Sequence, residues 1–118
     1  MATSRLITHP QKGVYVATWA SLVDGDVGDA ADIPLYCANR SVQVSGTPGA
    51  TLSFSLEGSN DGTNWGILND NEGNPITIVH GALTRALVFS IMENTIYVRT
   101  SEIIGDGSSN VRVVLAAA

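Results

Sequence analysis

Thr51-Leu52-Ser53-Phe54-Ser55-Leu56-Glu57 alternates between apolar and polar residues without a break. Leu52, Phe54 and Leu56 fall on one side of an extended chain, and the hydroxyl residues with Glu57 fall on the other. That period of two belongs to a strand with one face in a core and one toward water.

The pattern repeats on both sides of this stretch. Similar runs occupy Val14–Leu22, Leu35–Ala38, Ser41–Ser45, Trp65–Leu68, Ile76–Val79, Leu87–Ile91, Thr95–Ser101 and Val111–Ala116. VDGDVGDAAD, SGTPGA, GSNDGTN, NDNEGNP, MEN and GDGSSN separate the runs, and all are turn chemistry. No window of about 11 residues keeps helical spacing without Gly, Pro or β-branched interruption. About eight strands at this spacing predict an all-β, single-domain antiparallel β-sandwich of jelly-roll type. At 118 residues the chain suits one domain. Residues 13–118 are assigned to the sandwich and residues 1–12 to a leader, either flexible or partner-binding, cut by Pro10.

Composition narrows the function. Charged residues make up 14% of the chain, against about 25% in an average soluble domain. So little charge fits a surface partly covered by a partner, although abundant Ser, Thr and Asn supply polarity too. The net charge is −5 and the six Lys and Arg residues are scattered, so nucleic-acid binding through a basic stripe is not expected. No run approaches a membrane span of about 20 residues, and MATSRLITHPQKG lacks the apolar core of a signal peptide. The expected site of synthesis is therefore a cytoplasm. Cys37, the single cysteine, excludes an internal disulfide and reads as a small buried hydrophobe rather than a reactive thiol.

Little in the sequence suggests chemistry. His9 lies in the leader and His80 at a turn, with no G-x-S-x-G around either, and no glutamate pair suggests a cleft. No enzyme activity and no cofactor are expected. The segment from Asp24 to Asp32 holds four aspartates and two glycines. It could wrap a calcium ion, but Gly28 occupies a ligand position of the EF-hand pattern and no glutamate closes the loop. A solvated acidic loop is the expectation, and no metal site is assigned.

Two stretches invite structural roles. In Gly58-Ser59-Asn60-Asp61-Gly62-Thr63-Asn64-Trp65, Gly62 is expected to take the left-handed conformation of a hairpin turn. Trp65 is expected to plug the core against Leu56 and Phe54, with an exposed sugar-stacking platform as the alternative. In the first long run, Tyr15, Ala17 and Trp19 lie on one face and Val14, Val16, Ala20 and Leu22 on the other, so both faces are apolar. Such a strand is buried on both sides, or its alternation fails, or Tyr15 and Trp19 meet another subunit. The subunit contact is the expectation carried forward.

The hairpin is similar, over about eight residues, to one element of discoidin-type sugar-binding domains. A broader resemblance is to small structural proteins of tailed bacteriophages, the head decoration (cement) proteins. It rests on Leu56-Glu57-Gly58-Ser59-Asn60-Asp61-Gly62-Thr63-Asn64-Trp65, Asn71-Glu72-Gly73-Asn74, Tyr97-Val98-Arg99 and Gly105-Asp106-Gly107-Ser108, across residues 41–118. That resemblance implies a homotrimer on the outer capsid surface of a virion, partnered by the major capsid protein. For coat contact the leader is proposed, with Arg5, Leu6 and Ile7. A tail or baseplate accessory protein and a carbohydrate-binding module that takes a glycan are the competing expectations.

Overall fold

The computed structural model describes residues 2, 3 and 5–118; Met1 and Ser4 of the leader lie outside the described residues. Short strands dominate: β1 (Ala2–Thr3), β2 (Leu6–Thr8), β3 (Tyr15–Leu22), β4 (Val27–Gly28), β5 (Ala31–Asp32), β6 (Arg40–Thr47), β7 (Ser53–Ser59), β8 (Gly66–Ile67), β9 (Thr77–Val79), β10 (Leu87–Ser90), β11 (Tyr97–Thr100) and β12 (Asn110–Ala117). One turn of 3₁₀ helix covers His80–Ala82. Among the described residues no helix is long and apolar enough to cross a membrane.

Sheet I runs β10-β6-β12-β3-β2, and sheet II runs β5-β11-β7-β8 with β9 also on β7. Every pairing within the two is antiparallel. One apolar cluster, drawn from both sheets, fills the space between them. The all-β sandwich expected from alternation is therefore the observed fold. More strands are seen than expected because β1, β2, β4 and β5 are pairings of two or three residues, too short to show a period, whereas the expected run Leu35–Ala38 forms a turn and no strand.

Around Thr51–Glu57 the expected parity holds. Leu52, Phe54 and Leu56 are buried, while Ser55 and Glu57 are half-buried on the outer side and Ser53 is exposed. Burying a side chain of this size contributes roughly 1.5–3 kcal/mol, which sets the strand's face.

The doubly apolar strand β3 resolves differently from the expectation. Trp19 pairs with Val113 and Leu22 with Val111, so three steps along β3 match two along β12. This bulge at Ala20 and Ser21, opposite Arg112, reverses the parity. Tyr15, Ala17 and Trp19 face inward before it and Leu22 faces inward after it, while Ala20 is exposed. The subunit-contact role of Tyr15 and Trp19 is corrected accordingly: at 5% and 0% exposure, both rings are spent on the chain's own core. The Trp19 indole N–H donates to the Asp29 carbonyl at 2.9 Å, satisfying its one polar atom. Burial also pushes the Tyr15 hydroxyl above its ordinary pKa.

Where it is described, the leader is held on the sandwich by its own strand pairing. Leu6, Ile7 and Thr8 pair with Thr18, Ala17 and Val16, so β2 is the edge of sheet I and the boundary at residue 12 is not a structural one. Ile7 packs against the core and is withdrawn from coat contact, whereas Arg5 and Leu6 are exposed.

Candidate functional site

The outer face of sheet I spans five strands. Register places Leu6, Thr18, Val114, Gln43 and Val88 in one row across it. Thr8, Val16, Ala116, Ser41 and Ser90 form the next row. Both rows are free of charge. Beyond them Arg112 stands opposite Ser45.

Eleven acidic residues make up most of the chain's charge, yet β2, β3, β6, β10 and β12 contain none of them. Their two cations are Arg112 and Arg40, and Arg40 points inward and is buried. The Arg40 guanidinium donates to the carbonyls of Cys37 (2.8 Å) and Thr95 (2.5 Å), closing one end of the sandwich. Leu6 at 63% and Val88 at 67% exposure mark the two margins of the face. Sequence reasoning found Leu6 but missed Thr18, Val114 and Val88. Their signal was the lack of acidic residues in five separated segments, which has no meaning until register joins them.

Trp65 does not plug the core. Ile67 pairs with Glu57 and Gly66 with Gly58, so Leu68 turns inward and is buried while Trp65 is only half-buried. The Arg99 guanidinium lies 3.9 Å from the indole centroid, and its Nε donates to Glu57 Oε1 at 3.1 Å. This cation–π stack covers one ring face, the surface a sugar ring would need. Gly62 takes φ +75° as expected. Asp61 Oδ1 accepts from the amides of Thr63 and Asn64, both at 2.8 Å, and Oδ2 accepts from Asn64 Nδ2. These bonds hold the Asp61 carboxyl well below the usual carboxylate range.

The aspartates from Asp24 to Asp32 disperse. Asp24 Oδ1 accepts from the Gly105 amide and Asp26 Oδ2 from the Val23 amide, while Asp32 sits on β5. Among the described residues no group of three or more His, Cys, Asp or Glu is arranged to hold a metal. His9 bonds the Val14 carbonyl through Nδ1 at 3.2 Å and meets the Tyr15 ring edge-on, and Cys37 is buried.

No protein-family model matches this chain, and no curated protein matches it. What can be argued about its work therefore rests on its own surface and on the resemblance described above.

Proposed function

We propose that this chain is a bacteriophage head decoration (cement) protein, a trimer that lays the outer face of sheet I on the major capsid protein at the virion surface. The observation that carries this reading is the acid-free face on a chain of net charge −5. A surface shorn of charge costs little to desolvate, whereas buried unpaired carboxylates would cost several kcal/mol each. Arg5 and Leu6 at the β2 margin extend the contact. The resemblance across residues 41–118 supplies the phage setting.

Strand order supports the jelly-roll reading too. Along the chain β3, β6, β10 and β12 belong to sheet I, with β5 between the first two, β7 and β8 between the next two, and β11 before the last. Two interleaved Greek keys generate that alternation.

Size favours a multivalent mechanism. Five strands spaced about 4.8 Å apart and three rows of side chains give a face of about 300–400 Å². A stable interface takes roughly 800 Å² per partner. One face alone is then a weak adhesive, and a trimer presenting three makes later contacts intramolecular. Shell stabilisation follows from bridging neighbouring coat subunits.

The test is co-sedimentation with capsids beside sedimentation equilibrium of the free protein. A trimer that binds shells, and a Val114→Asp variant that remains folded but stays in the supernatant, are the expected results. A monomer that never binds shells would overturn the reading. A trimer that labelling of intact particles locates on the tail would move it to the tail-accessory alternative.

A further inference from the structure

The geometry points to a second binding site, argued without the capsid reading although Val88 and Ser90 also border that face: the outer edge of β10, which takes an extended basic segment of a partner polypeptide as an added strand. The Ile91 amide donates to the Arg40 carbonyl. With the β10–β6 register, this turns the polar main-chain groups of Leu87 and Phe89 toward β6 and those of Val88 and Ser90 away from it. Among the described residues no main-chain hydrogen bond outside the sheet ladder reaches Val88 or the Ser90 amide, while the Asp70–Ile91 bridge turns the Asn71 amide toward the Ser90 carbonyl.

The same edge is covered only at its far end. The Met92 amide donates to the Asn69 carbonyl at 2.9 Å, and Asp70 bridges Ile91. The chain then leaves the edge in a turn locked by Asp70 Oδ1, which accepts from the amides of Glu72 and Asn74. Between turn and edge lies a cavity of about 280 Å³, lined by Asp70, Asn71 and Glu72 on one side and Val88, Phe89 and Ser90 on the other.

The lining selects the occupant. Two carboxylates and no cation line this cavity, and Arg40 on the neighbouring strand β6 donates to the carbonyls of Cys37 and Thr95. Strand addition draws its affinity from main-chain bonds and its specificity from alternate side chains. The matching segment is an extended peptide with Lys or Arg toward Asp70 and Glu72 and an apolar residue beside exposed Val88. Natural edges are usually blunted by charge, proline or cover, and this one is left open at Val88 and at the Ser90 amide, near 7 Å of strand.

The probe is a blocked hexapeptide alternating lysine and valine, with a glutamate–valine peptide as control. Amide hydrogen exchange and NMR titration of the whole chain provide the readouts. The lysine peptide is expected to protect the Val88 and Ser90 amides and the glutamate peptide to leave them unchanged. Val88→Pro removes an N–H that the β6 ladder does not use, so binding should weaken roughly tenfold or more with the melting curve retained. Glu72→Lys, a fully exposed change, should reverse the preference between the two peptides and remains informative if the proline variant does not fold. Equal binding by Val88→Pro or by Glu72→Lys, or protection confined to other amides, would overturn the proposal. Concentration-dependent protection of the same amides without peptide would also overturn it, assigning the edge to a second copy of the chain.

Discussion

The two tryptophans have opposite roles, and strand register decides which of them enters the core. Trp19 is fully enclosed with its N–H bonded to Asp29, so Trp19→Ala leaves both a cavity and an orphaned carbonyl. Its expected cost is about 3–5 kcal/mol, read as a drop in the urea midpoint at unchanged slope. Trp65 is half-buried beneath Arg99, and an exposed cation–π contact is worth about 0.5–1 kcal/mol. Trp65→Ala should therefore cost well under half as much as Trp19→Ala, and Arg99→Ala should change the exposure of Trp65 fluorescence without unfolding the chain. The sequence shows two aromatic residues near strands. It does not show the bulge that lets Leu22 face inward together with Trp19, or the Glu57–Ile67 register that turns Trp65 outward, because both depend on the partner strand.

Alternation within one strand was enough to identify β7, β6 and β12, and the turn around Gly62 was legible from glycine's freedom at positive φ. Legibility ended at β2, β4 and β5, where two or three residues carry no period and only a neighbouring strand defines them, and at Leu35–Ala38, whose apolar run forms a turn. The leader was misread for this reason, since Leu6 and Ile7 become a strand through β3. The β3 bulge has a counterpart across the sheet. Val111 pairs with Leu22 on one side and with Gly46 on the other, and Gly46 has φ +124°. A Cβ at Gly46 would lie 2.4 Å from the Asn110 carbonyl oxygen, so neither conformation nor space admits a side chain. The bulge and the glycine together bend sheet I at its Val111 end. Gly46→Ala is expected to destabilise by about 1–3 kcal/mol, measured by thermal unfolding. Gly73→Ala offers a contrast, with strain from φ +85° but no atom within 4 Å of the added carbon. It should cost less than Gly46→Ala.

Over the whole molecule, acidic residues are kept off the strands of sheet I, and those in the turns are structural as well as solubilising. Asp106 accepts from the Ala50 amide at 2.8 Å and the Ser108 amide at 2.9 Å, tying the β6–β7 turn to the β11–β12 turn. Asp61 does the same within its own hairpin. Hydrogen bonds from these amides stabilise the ionised form, so both carboxyls are held below their ordinary value of 3.8. The unfolded chain, whose aspartates titrate near pH 4, therefore takes up protons before the folded chain does. The stability these groups contribute is fully present above that pH and is lost progressively as pH falls through and below it. Melting temperature should consequently show no loss from these two groups between about pH 5 and 8 and decline below about pH 4. Asp106→Asn should lower the melting temperature at neutral pH and make the acid decline shallower, because one of the groups that drives it no longer titrates. Ser41→Ala, which changes an uncharged side chain on β6, should leave the acid limb as steep as in the parent chain. A parallel series of melting curves from pH 2.5 to 7 for the three proteins separates these outcomes, and an unchanged acid limb in Asp106→Asn would refute the assignment of its carboxylate as the tie between the two turns.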